Sequence, residues 1–271
     1  KSTIWGSGEQ GYHTYRIPAL AVTNAGTVLS ICEGRRDGQG DTGKIDLLVK
    51  RSTDGGATWS EQAVIWTDGE NVCGNPAPIV DRETGTVWLL STWNKGSDHV
   101  ILSDDHGATW RLGGSTPRAG VNECQVVELT DGRLLMNTRN ESRHIRQRQE
   151  AFSDDGGETW RDQFVRPDLF EPICQASLHR GPKTAKGKPT LLFANPSNAD
   201  ARSHLTLRGS IDEGLTWSYA YEVQPGPAAY SDLAVLSDGQ ILCAYEAGEE
   251  HAYERIDLLR ISWDELVAKS G

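Results

Sequence analysis

The segment Ser52-Thr53-Asp54-Gly55-Gly56-Ala57-Thr58-Trp59 decides the fold, because its pattern occurs four times in the chain. The pattern is S-x-D-x-G-x-T-W, and its copies begin at Ser52, Ser103, Ser153 and Ser210. A spacing of about 50 residues is the length of one four-stranded propeller blade. In such a turn the Asp accepts hydrogen bonds from the backbone ahead of it, and a Gly supplies positive φ. The repeat therefore predicts one hairpin turn per blade.

The four repeated carboxylates are Asp54, Asp105, Asp155 and Asp212. Because they recur once per blade they cannot converge on one centre, so we expect them to be structural. The repeats resemble the Asp-boxes of the sialidase (neuraminidase) superfamily. That resemblance implies an all-β, sialidase-type β-propeller that forms a single catalytic domain over residues 1–271. Asp-boxes also occur in protein-binding propellers, so they indicate the fold better than the activity.

The number of blades departs from the family pattern. Members of the family have six blades, whereas about five full blades can be counted here: four with boxes, and a last one closed by the N-terminal segment. The strand that ends at residues 91–96 runs almost directly into residues 97–102 and the second box. We expect about one further blade to be missing at that point.

Composition excludes several classes of function. The chain has 38 acidic and 27 basic residues and a net charge of −11, which would repel a nucleic-acid backbone. No apolar stretch approaches the roughly 20 residues that span a bilayer. The seven histidines and five cysteines lack the spacing of metal ligands, so we expect no metal, no cofactor and buried free thiols.

The start of the chain, residues 1–5, has neither an initiator Met nor the apolar core of a signal peptide, so we expect a processed or trimmed start. The family resemblance implies a secreted, periplasmic or extracellular protein. Its substrates would be sialylated glycans, carried by glycoproteins, glycolipids or free oligosaccharides.

Sialic acid carries a carboxylate on its anomeric carbon, and three requirements follow from this. Arginines must hold the carboxylate, since guanidinium pairs with it bidentately. An acid must protonate the leaving oxygen. The nucleophile must be uncharged, because an Asp or Glu would be repelled, and sialidases use Tyr.

Three arginines match the family's carboxylate clamp. Tyr15-Arg16-Ile17-Pro18 resembles the (F/Y)RIP motif just before the first strand, which makes Arg16 the first member. The N-x-R segment that ends at Arg139 resembles the second. The segment 195–208 makes Arg202 the third, while Arg208 further along it is expected to be structural.

The nucleophile and its base are implied by two further segments. Residues 121–139 predict a hairpin around Asp131-Gly132 that places Glu123 and Arg139 at the same end of neighbouring strands. In the family this Glu is hydrogen-bonded to the catalytic Tyr, and Tyr230 in the segment 229–233 resembles that Tyr. A phenol with a pKa near 10 needs such a base at neutral pH.

The general acid is expected on the polar, glycine-rich loop of residues 33–46. By resemblance it is Asp41, with Arg35 as an additional contact to the sugar; Asp37 and Asp46 remain alternatives, although Asp46 begins a strand. Glu246 matches a Glu that braces Arg16. These elements occur in the order found in the family.

The sequence thus predicts a retaining exo-α-sialidase, a glycoside hydrolase that removes terminal α-linked sialic acid. Two other functions stay open, and a third, a protein-binding propeller, is disfavoured because Tyr230, Glu123 and Asp41 are all present. A catalytically impaired sialic-acid-binding propeller would keep the arginines, and a trans-sialidase would share the chemistry. A protein-binding Asp-box propeller would need no catalytic set.

Overall fold

The computed structural model describes residues 2–80, 87–93, 101–102, 111–112, 116–118, 120–141 and 144–270. Within these ranges the chain consists almost entirely of antiparallel β-strands, with one short helix near the C-terminal end. No helix in these ranges is long and apolar enough to cross a membrane. The second Asp-box, including Asp105, lies outside the described residues.

The first half of the chain forms one full sheet and two strand pairs. Strand β1 (Ser2–Gly6) leaves its sequence neighbours and pairs with the last strand of the chain. Blade 1 contains β2 (Thr14–Val22), β3 (Val28–Arg35), β4 (Ile45–Ser52) and β5 (Ala63–Trp66), in that order. The place of blade 2 is taken by the pairs β6 (Cys73–Val80) with β7 (Val87–Trp93), and β8 (Ile101–Leu102) with β9 (Arg111–Leu112).

The second half forms three blades, two of which share a strand. Blade 3 contains β10 (Val121–Glu128), β11 (Leu134–Asn140), β12 (Gln147–Ser153) and β13 (Arg161–Phe170). Blade 4 contains β14 (Ser177–Arg180), β15 (Leu191–Pro196), β16 (Ser203–Ser210) and the first half of β17 (Tyr219–Val235). Blade 5 contains the second half of β17, β18 (Ile241–Ala247), β19 (Arg255–Ile261) and β1. Helix α1 (Trp263–Lys269) follows.

The hydrophobic core lies between neighbouring blades. Trp5 and Leu258 of blade 5 belong to one cluster with Tyr15 of blade 1. Similar clusters join blades 4 and 5, for example through Leu207 and Cys243. Burying one such large apolar side chain contributes about 1.5–3 kcal/mol. Closure by β1 therefore adds core contacts as well as backbone pairing.

The described Asp-boxes are hydrogen-bonded turns. In the first box, Asp54 Oδ1 accepts the backbone N–H of Thr58 at 2.9 Å, and its Oδ2 accepts the Thr58 hydroxyl at 2.6 Å. The boxes of Asp155 and Asp212 repeat both contacts. The bonds from Thr159 lower the pKa of Asp155 to about 2. Each described box carboxylate thus accepts hydrogen bonds from residues of its own turn, which is a structural role.

Two details differ from the sequence-based expectations. Arg16 lies inside β2 rather than before the first strand, because β1 precedes it and residues 14–22 form one continuous strand. None of the five cysteines forms a disulfide, but Cys124 is exposed while the other four are buried. Cys124 follows a residue of positive φ, where the alternation of the strand is interrupted.

Candidate active site

Tyr230, in the second half of β17, lies at the centre of the candidate site. Its hydroxyl donates to Glu123 Oε1 at 2.5 Å, and Arg139 Nη1 donates to the same hydroxyl at 3.4 Å. Only 8% of the residue is exposed. Burial raises the pKa of Tyr230, and the charge of Glu123 raises it further, while Arg16 opposes them. The phenol is therefore protonated at neutral pH and hydrogen-bonded to a carboxylate that can accept its proton.

Residues with positive backbone φ recur in the strands that carry the site residues. Ile17 (φ 55°), Asn75 (φ 50°) and Glu123 (φ 43°) lie on the first strands of blades 1, 2 and 3, at shifts in pairing register. Such bulges re-aim side chains, and non-glycine residues in this conformation cost of order 1–3 kcal/mol each. At two of these bulges lie Arg16 and Glu123, both of which contact Tyr230.

Arg16 and Tyr230 are connected by Glu246, which is fully buried on β18. Glu246 Oε1 accepts Arg16 Nε at 3.1 Å and the backbone N–H of Ile17 at 3.0 Å. Its Oε2 accepts the backbone N–H of Tyr230 at 3.1 Å. Burial alone would lower the pKa of Arg16, but the charge of Glu246 outweighs this and raises it. One carboxylate thus fixes both a predicted clamp arginine and the predicted nucleophile.

Arg139 and Arg202 approach Tyr230 from other blades. Arg139 Nη1 is 2.8 Å from Glu123 Oε2, and its Nη2 is 3.6 Å from Glu141. Arg202 Nη2 donates to the carbonyl oxygen of Ile173 at 3.0 Å, and its Cζ lies 5.5 Å from the centroid of the Tyr230 ring. The structure therefore brings all three predicted clamp arginines around one phenol.

Asp41 lies at the open side of this group, with 81% of its side chain exposed. Its Oδ1 is 2.8 Å from Arg35 Nη1 and 3.6 Å from Arg16 Nη1. Arg35 itself is buried and fixed by Glu33, which accepts its Nη2 at 2.6 Å. Asp46, one of the alternatives for the acid, is buried and accepts Arg36 and Tyr12, whereas Asp37 is exposed.

Sequence reasoning missed a buried ion pair behind the arginines. Arg148 Nη1 donates to Glu171 Oε2 at 2.7 Å, and Glu171 Oε1 accepts the backbone N–H of Asn140, next to Arg139, at 2.6 Å. Burial raises the pKa of Glu171. The available signal was a charged residue at an inward-facing position of a strand, since a fully buried arginine such as Arg148 needs a partner.

Sequence reasoning also missed Tyr253, on the turn between β18 and β19. Its hydroxyl accepts Arg202 Nη1 at 2.7 Å, and its ring centroid is 4.4 Å from Arg16 Cζ. No sequence signal identified it, because a tyrosine near a turn is most often a packing residue. Among the described residues no cluster of His, Cys, Asp and Glu could hold a metal ion.

Two known protein-family models that describe BNR repeats match this chain. The model of the BNR repeat-like domain matches residues 91–243, more than half of the chain, and that of the BNR/Asp-box repeat matches residues 50–61. The chain belongs to the BNR repeat-like domain family. The prediction of Asp-box repeats of the kind found in sialidases is thereby confirmed.

Relatives of this BNR chain include enzymes and solved propellers. A sialidase from Micromonospora viridifaciens is 29% identical over 343 residues, which covers 93% of this chain and 53% of the relative. Hadza microbial sialidase Hz136 has a TM-score of 0.85 at 24% identity, over 97% of this chain and 68% of that chain. The intramolecular trans-sialidase from Ruminococcus gnavus has a TM-score of 0.81 at 17% identity, over 98% of both chains. The predicted sialidase-type β-propeller fold is confirmed.

The BNR chain is shorter than this curated relative, of which it spans about half. The match extends over 343 residues, which exceeds the 271 residues of the whole chain. The relative therefore contains internal residues without a counterpart here. This agrees with the expectation of a shortened propeller. Within the described ranges four blades have four strands each, and two of these blades belong to one seven-stranded sheet.

Proposed function

We propose that this chain is a retaining exo-α-sialidase that hydrolyses terminal α-ketosidically linked sialic acid from glycoconjugates. The observation that carries the proposal is the hydroxyl of Tyr230, 2.5 Å from Glu123 and surrounded by three arginines of three different blades. Glu123 can act as the general base of the Tyr230 nucleophile. The arginines beside it suit a substrate whose reacting carbon bears a carboxylate, because guanidinium pairs with carboxylate. The sialidase relative is consistent with this chemistry.

The arginines provide the affinity for the sugar acid. Arg16, Arg139 and Arg202 would donate to its carboxylate, and each charge-assisted hydrogen bond contributes on the order of 1.5–3 kcal/mol. Because the chain carries a net charge of −11, this local cluster has to overcome a repulsive overall field. We therefore expect affinity to increase with ionic strength at low salt and to depend on each arginine.

The first chemical step transfers the sugar to the enzyme. Glu123 accepts the phenolic proton while the Tyr230 oxygen forms a bond to the anomeric carbon. The bond from that carbon to the leaving oxygen breaks, and Asp41 gives its proton to that oxygen. The exposure of Asp41 gives its carboxyl access to a bulky leaving group.

The second step releases sialic acid. Asp41, now a carboxylate, takes a proton from water as the water oxygen attacks the same carbon. The bond to Tyr230 breaks, and the phenolate recovers its proton from Glu123. Two displacements at one carbon retain its configuration. Glycans with such termini lie on secreted and cell-surface molecules, so we place the site of action outside the cytoplasm.

Tyr230→Phe tests the nucleophile. It removes the attacking oxygen but keeps the buried ring, so turnover of a fluorogenic α-sialoside should fall by about three orders of magnitude or more. Fluorophore release is measured for wild type, Tyr230→Phe and the matched control Tyr221→Phe, whose residue lies on β17 in blade 4. The control should retain wild-type turnover. Near wild-type turnover by Tyr230→Phe would refute the mechanism.

The products distinguish the remaining candidates. Free sialic acid with retained configuration, observed by NMR before mutarotation, supports hydrolysis. Transfer to an added lactose acceptor would instead identify a trans-sialidase. A folded wild type that binds sialic acid without turning over the sialoside would be a binding propeller.

A further inference from the structure

Tyr253 lies between two of the predicted clamp arginines. Its hydroxyl accepts Arg202 Nη1 at 2.7 Å, while Arg16 Cζ lies over its ring at 4.4 Å from the centroid. The face of an aromatic ring attracts a cation, and the phenol oxygen accepts a charge-assisted hydrogen bond. One neutral side chain therefore stabilises two guanidinium groups that would otherwise repel each other.

Arg202 has a different environment from the other two arginines. Arg16 is paired with Glu246, and Arg139 with Glu123. In the described part of the chain no carboxylate lies within ion-pair distance of Arg202; its two acceptors there are the Tyr253 hydroxyl and the carbonyl oxygen of Ile173. Both acceptors are neutral, so they orient the Arg202 guanidinium without cancelling its charge. Burial opposes the charged form of Arg202, but its interactions with Cys174, Tyr253 and Tyr230 outweigh this and raise its pKa.

The turn that carries Tyr253 is held in a fixed shape. The carboxylate of Glu254 accepts the backbone N–H groups of Glu249, Glu250 and His251 at 3.0, 2.8 and 3.0 Å. The Ser7 hydroxyl donates to the carbonyl oxygen of Tyr253 at 2.8 Å. The three backbone bonds from Glu249, His251 and Glu250 lower the pKa of Glu254 to about 2, so its carboxylate is ionised at any physiological pH. The ring of Tyr253 is thereby delivered to the arginines at a defined position.

We propose that Tyr253 is a positioning residue that orients Arg202 and Arg16 towards the carboxylate of the substrate and leaves the charge of Arg202 available to it. This inference rests on the proposed function, because it takes a sugar acid as the ligand. A carboxylate in the place of Tyr253 would hold the arginines equally well but would neutralise them and repel the substrate. The proposal thus explains why the acceptor is a phenol.

The test compares Tyr253→Phe, which keeps the ring, with Tyr253→Leu, which removes it. The matched control is Tyr221→Phe, because Tyr221 also faces a cation, Lys269, at 5.2 Å from its ring centroid. The probes are free N-acetylneuraminic acid and its uncharged methyl ester, with affinities from calorimetry or ligand-observed NMR. Turnover of the fluorogenic sialoside is measured in parallel.

Tyr253→Phe should weaken binding of the acid about tenfold and leave binding of the ester within about twofold, since one charge-assisted bond is lost. KM for the sialoside should rise by a similar factor while kcat changes little. Tyr253→Leu should lose more. The control should preserve the acid-to-ester ratio of affinities.

An unchanged acid-to-ester ratio of affinities in Tyr253→Phe would overturn the proposal, whether neither affinity changes or both fall equally, as a merely structural role would produce. The wild type separates the two hypotheses. If the wild type binds the acid but does not turn over the sialoside, the hypothesis of hydrolysis is refuted. The acid-to-ester ratio of affinities still decides the role of Tyr253. If it turns over the sialoside and the ratio is unchanged in the variant, only the role of Tyr253 fails.

Discussion

Glu246 joins parts of the chain that are far apart in sequence. Its carboxylate binds the side chain of Arg16 and the backbone of Ile17, and it also holds the backbone of Tyr230. A carboxylate can accept about four hydrogen bonds, so it can serve all of these donors at once. Its burial is tolerated because a cation and two N–H groups compensate it.

Replacing Glu246 should therefore destabilise the fold. Glu246→Ala leaves Arg16 buried without its main partner, which costs about 3–5 kcal/mol in the free energy of unfolding. The measurement is urea denaturation at pH 7, and Glu249→Ala is the control because its side chain is 85% exposed. A loss below about 1 kcal/mol for Glu246→Ala would contradict this account.

The sequence identified many of the side chains that meet at Tyr230, and it predicted that Glu246 braces Arg16, but it could not show the backbone contacts that also hold them. Arg16, Arg139 and Arg202 stand out because several arginines around a Tyr and a Glu match one chemistry. The contact of Glu246 with the N–H of Ile17 depends on a bulge at which Ile17 has positive φ. A β-branched residue rarely adopts this conformation, so the sequence contains no signal for it. Tyr253 reaches its place through the shape of the turn that carries it, and the residue types of that turn did not predict its shape.

At the scale of elements, the Asp-box turn is a local unit whose stability depends on pH. Asp155 accepts Thr159 through both its backbone and its hydroxyl, and also the Ser153 hydroxyl. Because these bonds favour the carboxylate, its pKa is about 2 in the folded chain, against an ordinary value of 3.8. This contribution is fully present above about pH 4 and is lost as pH falls through about 2.

Asp155→Asn should flatten the acid limb of the stability curve. The amide offers one acceptor oxygen and does not titrate, so the variant should melt lower at pH 7 but lose less stability between pH 4 and about 2. Thermal melting from pH 2 to 7 is compared with that of Asp238→Asn, a change at an exposed aspartate outside the boxes. Parallel curves for wild type and Asp155→Asn would show that the box carboxylate does not govern acid stability.

At the scale of the whole molecule, the N-terminal strand completes blade 5. Strand β1 pairs with β19 from Ser2 to Gly6, and Trp5 is 1% exposed between blades 5 and 1. The Trp5 indole also donates to Ser30 Oγ of blade 1 at 2.9 Å. One residue therefore links closure of the ring to the blade that carries Arg16.

Trp5→Ala should open this junction. Truncating a buried Trp costs about 3–5 kcal/mol, and we expect the melting temperature and the turnover of sialoside to fall together. Trp66→Ala on β5 is the control, since that Trp is 37% exposed. Full turnover by a stable Trp5→Ala variant would show that closure is not required for the site.

The sequence predicted the architecture well because the repeat fixes both the length and the turn of each blade. It also predicted that the N-terminal segment closes the last blade, as the pairing of β1 with β19 confirms. It did not predict that blades 4 and 5 share one strand. Residues 219–235 contain Pro225 and Pro227, and proline within a run of strand residues indicates the end of a strand. The strand nevertheless continues through both prolines.

The shared strand β17 has a consequence for the evolution of the ring. Side chains alternate along a strand, so inserting or deleting one residue in β17 would turn either Tyr230 or the packing residues of blade 4 to the opposite face. Loops between blades absorb changes in length without this effect. We therefore expect the seam between blades 4 and 5 to tolerate a change in chain length less well than the loops between the other blades.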